Sequence, residues 1–88
     1  MRVISIYKDK TDYSRTVDEF LRDFERQTGH VIEVIDPDSA GGVQFCESYD
    51  ITEYPTLIAL ADDGTMQNMW PGLPLPTMNE VSYYVQQN

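Results

Sequence analysis

The sequence predicts one α/β domain with the element order β-α-β-α-β-β-α. Two β-branched runs, Arg2–Tyr7 and His30–Ile35, flank a helical stripe. Strand, helix, strand in that order is a βαβ unit with a right-handed crossover. A later apolar run, Leu57–Ala61, opens behind a lone proline and closes in Asp62-Asp63-Gly64, the Asp-Gly signal of a hairpin. At 88 residues the chain has room for one domain, near the size at which a single core only just suffices.

Taken in order, Arg2-Val-Ile-Ser-Ile-Tyr7 is dense enough in β-formers for a strand covered on both faces. Lys8–Asp12 is polar and turn-like. Val17, Phe20, Leu21 and Phe24 fall at i, i+3, i+4 and i+7, one face of an amphipathic helix. Thr11, Asp12 or Ser14 could cap its start, Thr16 and Glu19 have capping-box spacing, and Gly29 supplies the stop. His30-Val-Ile-Glu-Val-Ile35 is the second strand. Asp36-Pro-Asp-Ser39 then breaks the chain, and Asp38 or Ser39 caps a weaker helix with Val43, Cys46 and Tyr49 as its apolar positions. The Gly41-Gly42 pair costs that helix about 1 kcal/mol per glycine relative to alanine.

Pro55 opens the third strand, Thr56–Ala61, because proline cannot donate a ladder hydrogen bond inside one. Tyr54 before it is pushed towards extended geometry. The loop Thr52-Glu53-Tyr54 thus meets the strand at a stiff corner, of the kind that often holds a cis proline. The hairpin leads into Thr65-Met-Gln-Asn-Met-Trp70, and Pro71–Pro76 is a proline-rich break. Thr77 with Glu80 has capping-box spacing before a last stripe of Met78, Val81, Tyr84 and Val85.

Tyr49-Asp-Ile-Thr-Glu-Tyr-Pro-Thr-Leu-Ile-Ala-Leu60, followed by Asp62-Asp63-Gly64-Thr65, resembles the second half of thioredoxin-fold proteins. There a short helix leads through a loop to a cis proline and an apolar strand. The element order matches the minimal thioredoxin fold across nearly the whole chain. The resemblance implies a four-stranded mixed sheet in the order 2-1-3-4 with helices on both faces. Val17-Asp-Glu-Phe-Leu21 is similar to the glutaredoxin pattern after the second active-site cysteine. That puts Thr11-Asp12-Tyr13-Ser14 where a glutaredoxin has Cys-Pro-Tyr-Cys, with Thr11 at the first cysteine and Ser14 at the second.

Hydroxyls cannot take over that chemistry. An alcohol ionises far above the cysteine value of about 8.5, and a helix N-terminus contributes at most ~2 kcal/mol towards lowering it. Disulfide exchange also needs sulfur as nucleophile and as leaving group. The one cysteine, Cys46, provides no Cys-x-x-Cys pair and no internal disulfide. Dithiol-disulfide oxidoreductase activity is therefore excluded. What the resemblance leaves is a geometry, a helix N-terminus facing the backbone of Tyr54, which in the family binds extended peptide or glutathione. The candidate ligand-binding residues are Thr11, Asp12, Tyr13, Ser14, Tyr54 and Pro55. The plainer role for Thr11 or Ser14 is to cap the helix, and for Tyr13 to cover the sheet.

The function expected is a non-redox thioredoxin-fold binding or adaptor module for a peptide, protein or small ligand. The alternative is a glutathione-linked or monothiol enzyme of the oxidoreductase or transferase type, using Ser14, Thr11 or Cys46. Glutathione transferases hold a thiolate with a serine or tyrosine near this position, but they add a helical domain. No catalytic residue, metal ligand or cofactor is expected. Cys46 reads as a small buried hydrophobe, His30 as a surface residue, and the Asp36/Asp38 and Asp62/Asp63 pairs as turn chemistry without calcium-loop spacing.

Fifteen acidic residues against six basic ones, a net charge of −9, argue against nucleic acid or an anionic membrane as partner. No apolar run approaches the ~20 residues that span a bilayer, and no charged-then-apolar leader opens the chain. A cytoplasmic location is expected. Met66, Met69, Trp70, Leu73 and Leu75 either cover the sheet beneath the last helix or form an exposed patch for a partner or a second copy.

Overall fold

A computed structural model describes residues 1–85. The elements are β1 (Arg2–Ile6), α1 (Ser14–Thr28), β2 (Glu33–Ile35), α2 (Ala40–Ser48), β3 (Thr56–Leu60), β4 (Met66–Pro71) and α3 (Met78–Val85). The strands form one sheet in the order β2-β1-β3-β4. β1 runs parallel to β2 and antiparallel to β3, and β3 runs antiparallel to β4.

Strand alternation divides the interior into two cores. Leu57 and Ala59 of β3 join Val3, Phe24, Ile32 and Val81 beneath α1 and α3. Ile58 and Leu60 join Ile4, Ile6, Cys46 and Ile51 beneath α2. Every residue of β3 is buried, which is why it reads as an unbroken apolar run rather than an alternating one. Of the α1 stripe, Phe20, Leu21 and Phe24 face the first core, as do Met78, Val81, Tyr84 and Val85 of α3, and Val17 is fully buried.

β2 is shorter than the run His30–Ile35 suggests. Gly29 ends α1 in the left-handed region (φ 75°), its N–H donating to the Glu25 carbonyl at 2.8 Å. Residues 30–32 then carry the chain from the helix layer to the sheet, leaving Val31 69% exposed while Ile32 enters the core. Pairing starts only where Glu33 meets Ile4.

The buried side of α2 is also shifted from the expected stripe. It runs through Gly42, Phe45, Cys46 and Tyr49, while Val43 is exposed. Gly42 sets this: a Cβ there would lie 1.8 Å from the Asp36 carbonyl oxygen. The helix thus sits against the Asp36 turn, where the Ser39 hydroxyl accepts from the Gly42 N–H (3.0 Å) and donates to the Asp36 carbonyl (2.7 Å). At its other end Asp50 adopts φ 57°. The Ile51 N–H reaches the Cys46 carbonyl at 2.8 Å and the Asp50 N–H the Glu47 carbonyl at 3.4 Å, a Schellman closure with aspartate in the usual glycine place. That closure aims the chain at Tyr54.

β4 is an edge strand with a bulge: Ala59 pairs with Asn68 but Leu60 with Met66, so Gln67 is the extra residue. Pro71 closes it, as an edge allows. The Asp62-Asp63 pair serves the turn. Gly64 has φ 88°, and Asp63 Oδ1 accepts from the Thr65 N–H at 3.0 Å. Trp70 and Leu75 pack on the α1/α3 core and Met69 on the α2 core, while Met66 and Leu73 are exposed. The five apolar residues of this stretch therefore look to different sides of the sheet. Thr77 caps α3 by accepting from the Glu80 N–H at 3.2 Å, and Glu80 also accepts from the Trp70 indole at 3.3 Å.

Candidate functional site

The loop between β1 and α1 is largely closed on itself. None of Thr11, Asp12 and Ser14 caps α1, since the N-cap residue is Tyr13 and no side chain bonds there. The Thr11 hydroxyl instead donates to the Lys8 carbonyl (2.9 Å), and that of Ser14 to the Thr11 carbonyl (3.0 Å). The Tyr13 hydroxyl accepts from the Lys8 N–H at 3.2 Å, and Asp12 is exposed. The N–H groups of Arg15 and Thr16 find no backbone acceptor among the described residues, so the positive end of α1 is left facing outward.

The proline corner precedes β3. The Tyr54–Pro55 peptide bond is cis, as is Leu73–Pro74. The Pro55 carbonyl accepts from the Gly72 N–H at 2.8 Å, and the buried Thr56 hydroxyl donates to the Glu53 carbonyl at 2.7 Å. Both ladders of β3 begin at Thr56, opposite Ile6 on one side and Pro71 on the other. Tyr54 lies beyond both. Its N–H and C=O make no backbone hydrogen bond among the described residues.

Lys8 joins the two halves. Its backbone holds Tyr13 and Thr11, and its Nζ lies 5.2 Å from the centre of the Tyr54 ring and 3.6 Å from Asp38. Partial burial raises the Tyr54 hydroxyl above its ordinary pKa, and Cys46, Asp38 and Tyr13 push the same way. Nothing in the sequence pattern singles out Lys8; it reads there as a polar turn residue. Nearby, burial and the bond donated to Asp18 push Tyr7 up to about 12.

On the α2 side of Tyr54 lies a cleft of about 360 Å³, lined by Pro37, Asp38, Val43, Cys46, Glu47, Asp50, Ile51, Thr52 and Tyr54. Cys46 is 7% exposed, on α2 and away from both positions where the family carries its cysteines. The structure thus brings Tyr13 near Tyr54 through Lys8, fixes Thr11 and Ser14 on carbonyls, and leaves Asp12 outside. Among the described residues no group of three His, Cys, Asp or Glu is arranged to hold a metal ion, and no helix is long and apolar enough to cross a membrane.

The arrangement of strands and helices recurs in solved structures. Thioredoxin 1 from Thermosipho africanus superposes with a TM-score of 0.67 at 16% identity, covering 98% of this chain and 91% of its own. Thioredoxin O1 from Arabidopsis thaliana gives 0.66 at 17% identity, over 93% and 71%. The structure of a malarial protein gives 0.69 at 14% identity, over 96% and 91%. The chain has a thioredoxin-like fold. No protein-family model matches its sequence, and no curated protein does. At these identities the likeness is one of fold. Within that fold the chain carries a single cysteine, so the paired-thiol step of a thioredoxin has no residues to run on.

Proposed function

We propose that this thioredoxin-like domain is a non-redox binding module that takes an extended peptide segment of a protein partner on the backbone of Tyr54. The observation that carries this reading is that, among the described residues, the N–H and C=O of Tyr54 make no backbone hydrogen bond at the end of two ladders. An extended segment laid beside Tyr54 would satisfy both groups, the mode by which strands add to exposed edges. The outward N–H groups of Arg15 and Thr16 stand ready for a carbonyl or carboxylate of the same segment. A cytoplasmic location belongs to this reading, since its lone buried thiol has no use for an oxidising compartment.

The glutathione-linked alternative is less well supported. A hydroxyl that holds a thiolate must donate to it, and those of Thr11 and Ser14 already donate to carbonyls. The test is an amide chemical-shift titration with a neutral extended peptide, alongside a disulfide-reduction assay. The expected result is saturable shifts at Tyr54, Arg15 and Thr16 with no reduction above buffer. Silence at Tyr54, or turnover of the disulfide, would remove the proposal.

A further inference from the structure

Resting on that reading, we infer that the cleft beside Tyr54 selects a basic side chain, arginine or lysine, at the peptide residue paired with Tyr54. The side chain of Tyr54 packs on the α2 core. A residue opposite it in an extended pairing points to the same side, with Cβ atoms about 5 Å apart. That direction leads into the cleft between α2 and the proline corner. Flanking residues of the peptide point the other way, out of the cleft.

The cleft's chemistry fits a long side chain with an apolar stem and a cationic end. Pro37, Ile51 and Cys46 are buried and Val43 is exposed along its wall, which suits a methylene stem. Asp38, Glu47 and Asp50 line it as well. Glu47 and Asp50 make no ion pair or side-chain hydrogen bond among the described residues, so their charge faces the cleft uncompensated. A divalent ion is not the fitting occupant, because these carboxylates are not gathered as ligands. A cationic side chain needs no common coordination point. Two of the lining residues, Tyr54 and Asp38, already engage a cation of the chain: Lys8 Nζ rests over the Tyr54 ring and 3.6 Å from Asp38. The net charge of −9 further draws basic segments to the domain.

The test uses three capped pentapeptides, Ser-Val-X-Val-Ser with X as arginine, alanine or glutamate, titrated into the full chain while the Tyr54 amide is followed. Arginine should bind roughly fivefold tighter than alanine, and glutamate more weakly than both. The arginine advantage should shrink as salt rises and vanish in Glu47→Gln/Asp50→Asn, whose exposed side chains bond nothing that holds the fold. Asparagine also tolerates the left-handed backbone at position 50. Equal affinities at low salt, or an arginine advantage that survives the double substitution, would overturn the cleft's role while leaving binding at Tyr54 intact. No shift at Tyr54 with any of the three would overturn both.

Discussion

Gly41 and Gly42 are adjacent, look alike in the sequence and should respond in opposite directions to alanine. At Gly41 a Cβ meets nothing within 4 Å. Gly41→Ala therefore removes backbone freedom from the unfolded chain at no steric cost and should raise stability by about 1 kcal/mol. At Gly42 the added Cβ would lie 1.8 Å from the Asp36 carbonyl oxygen and 2.8 Å from the Ser39 hydroxyl. To reach ordinary contact, α2 and the Asp36 turn must separate by roughly 1.5 Å. That stretches the Ser39 cap, whose loss costs about 1 kcal/mol. It also lifts Cys46 and Phe45 from the core beneath α2, opening space of the kind that costs a few kcal/mol more. Gly42→Ala should therefore lose about 3 kcal/mol despite its better helix propensity. Urea unfolding followed by circular dichroism reads both as shifts in midpoint at constant slope. Equal midpoints for the two variants would refute the close packing of α2 against the Asp36 turn.

Asp50→Gly relieves a left-handed backbone (φ 57°) and should raise stability by about 1 kcal/mol in the same assay, while weakening any basic peptide. The Ser5 hydroxyl is fully buried and has no hydrogen-bond partner among the described residues, so Ser5→Ala should stabilise by roughly 1 kcal/mol. Tyr7 has a folded pKa raised from 10 to about 12. Its contribution is therefore intact below pH 10 and is lost as pH rises through about 12. Ultraviolet titration should show an ionisation near pH 12 that Tyr7→Phe removes, and the same substitution should flatten that alkaline loss. Thr77→Ala removes the acceptor for the Glu80 N–H and should cost about 1 kcal/mol.

The fold was legible because its signals are local and consistent. The stripe Val17–Phe24, the stop at Gly29, the caps Ser39 and Thr77, and the turn at Gly64 all stand where the residues direct them. What went unread depends on contacts distant in sequence. Val43 and Phe45 exchange places on α2 because of a carbonyl six residues before Gly42. The run at His30 shortens because an edge strand must first leave the helix layer. Trp70 and Met69 part to opposite cores, as strand alternation requires, once pairing with β3 fixes the register. The cis corner at Tyr54–Pro55 was readable from proline chemistry. Of the three residues that could cap α1, Thr11, Asp12 and Ser14, none does; the hydroxyls of Thr11 and Ser14 bond carbonyls in their own loop. Lys8 carries no pattern at all and acquires its role only when the fold sets it over Tyr54.

Amide hydrogen exchange at Tyr54 tests the central claim most directly. In the free chain this N–H, beyond both ladders, should exchange as fast as an open loop amide, while those of Leu57 to Leu60 are protected. With an arginine-centred peptide at roughly ninety per cent occupancy, the Tyr54 rate should fall about tenfold. An amide already protected in the free chain, or one whose rate the bound peptide leaves unchanged, would contradict the account.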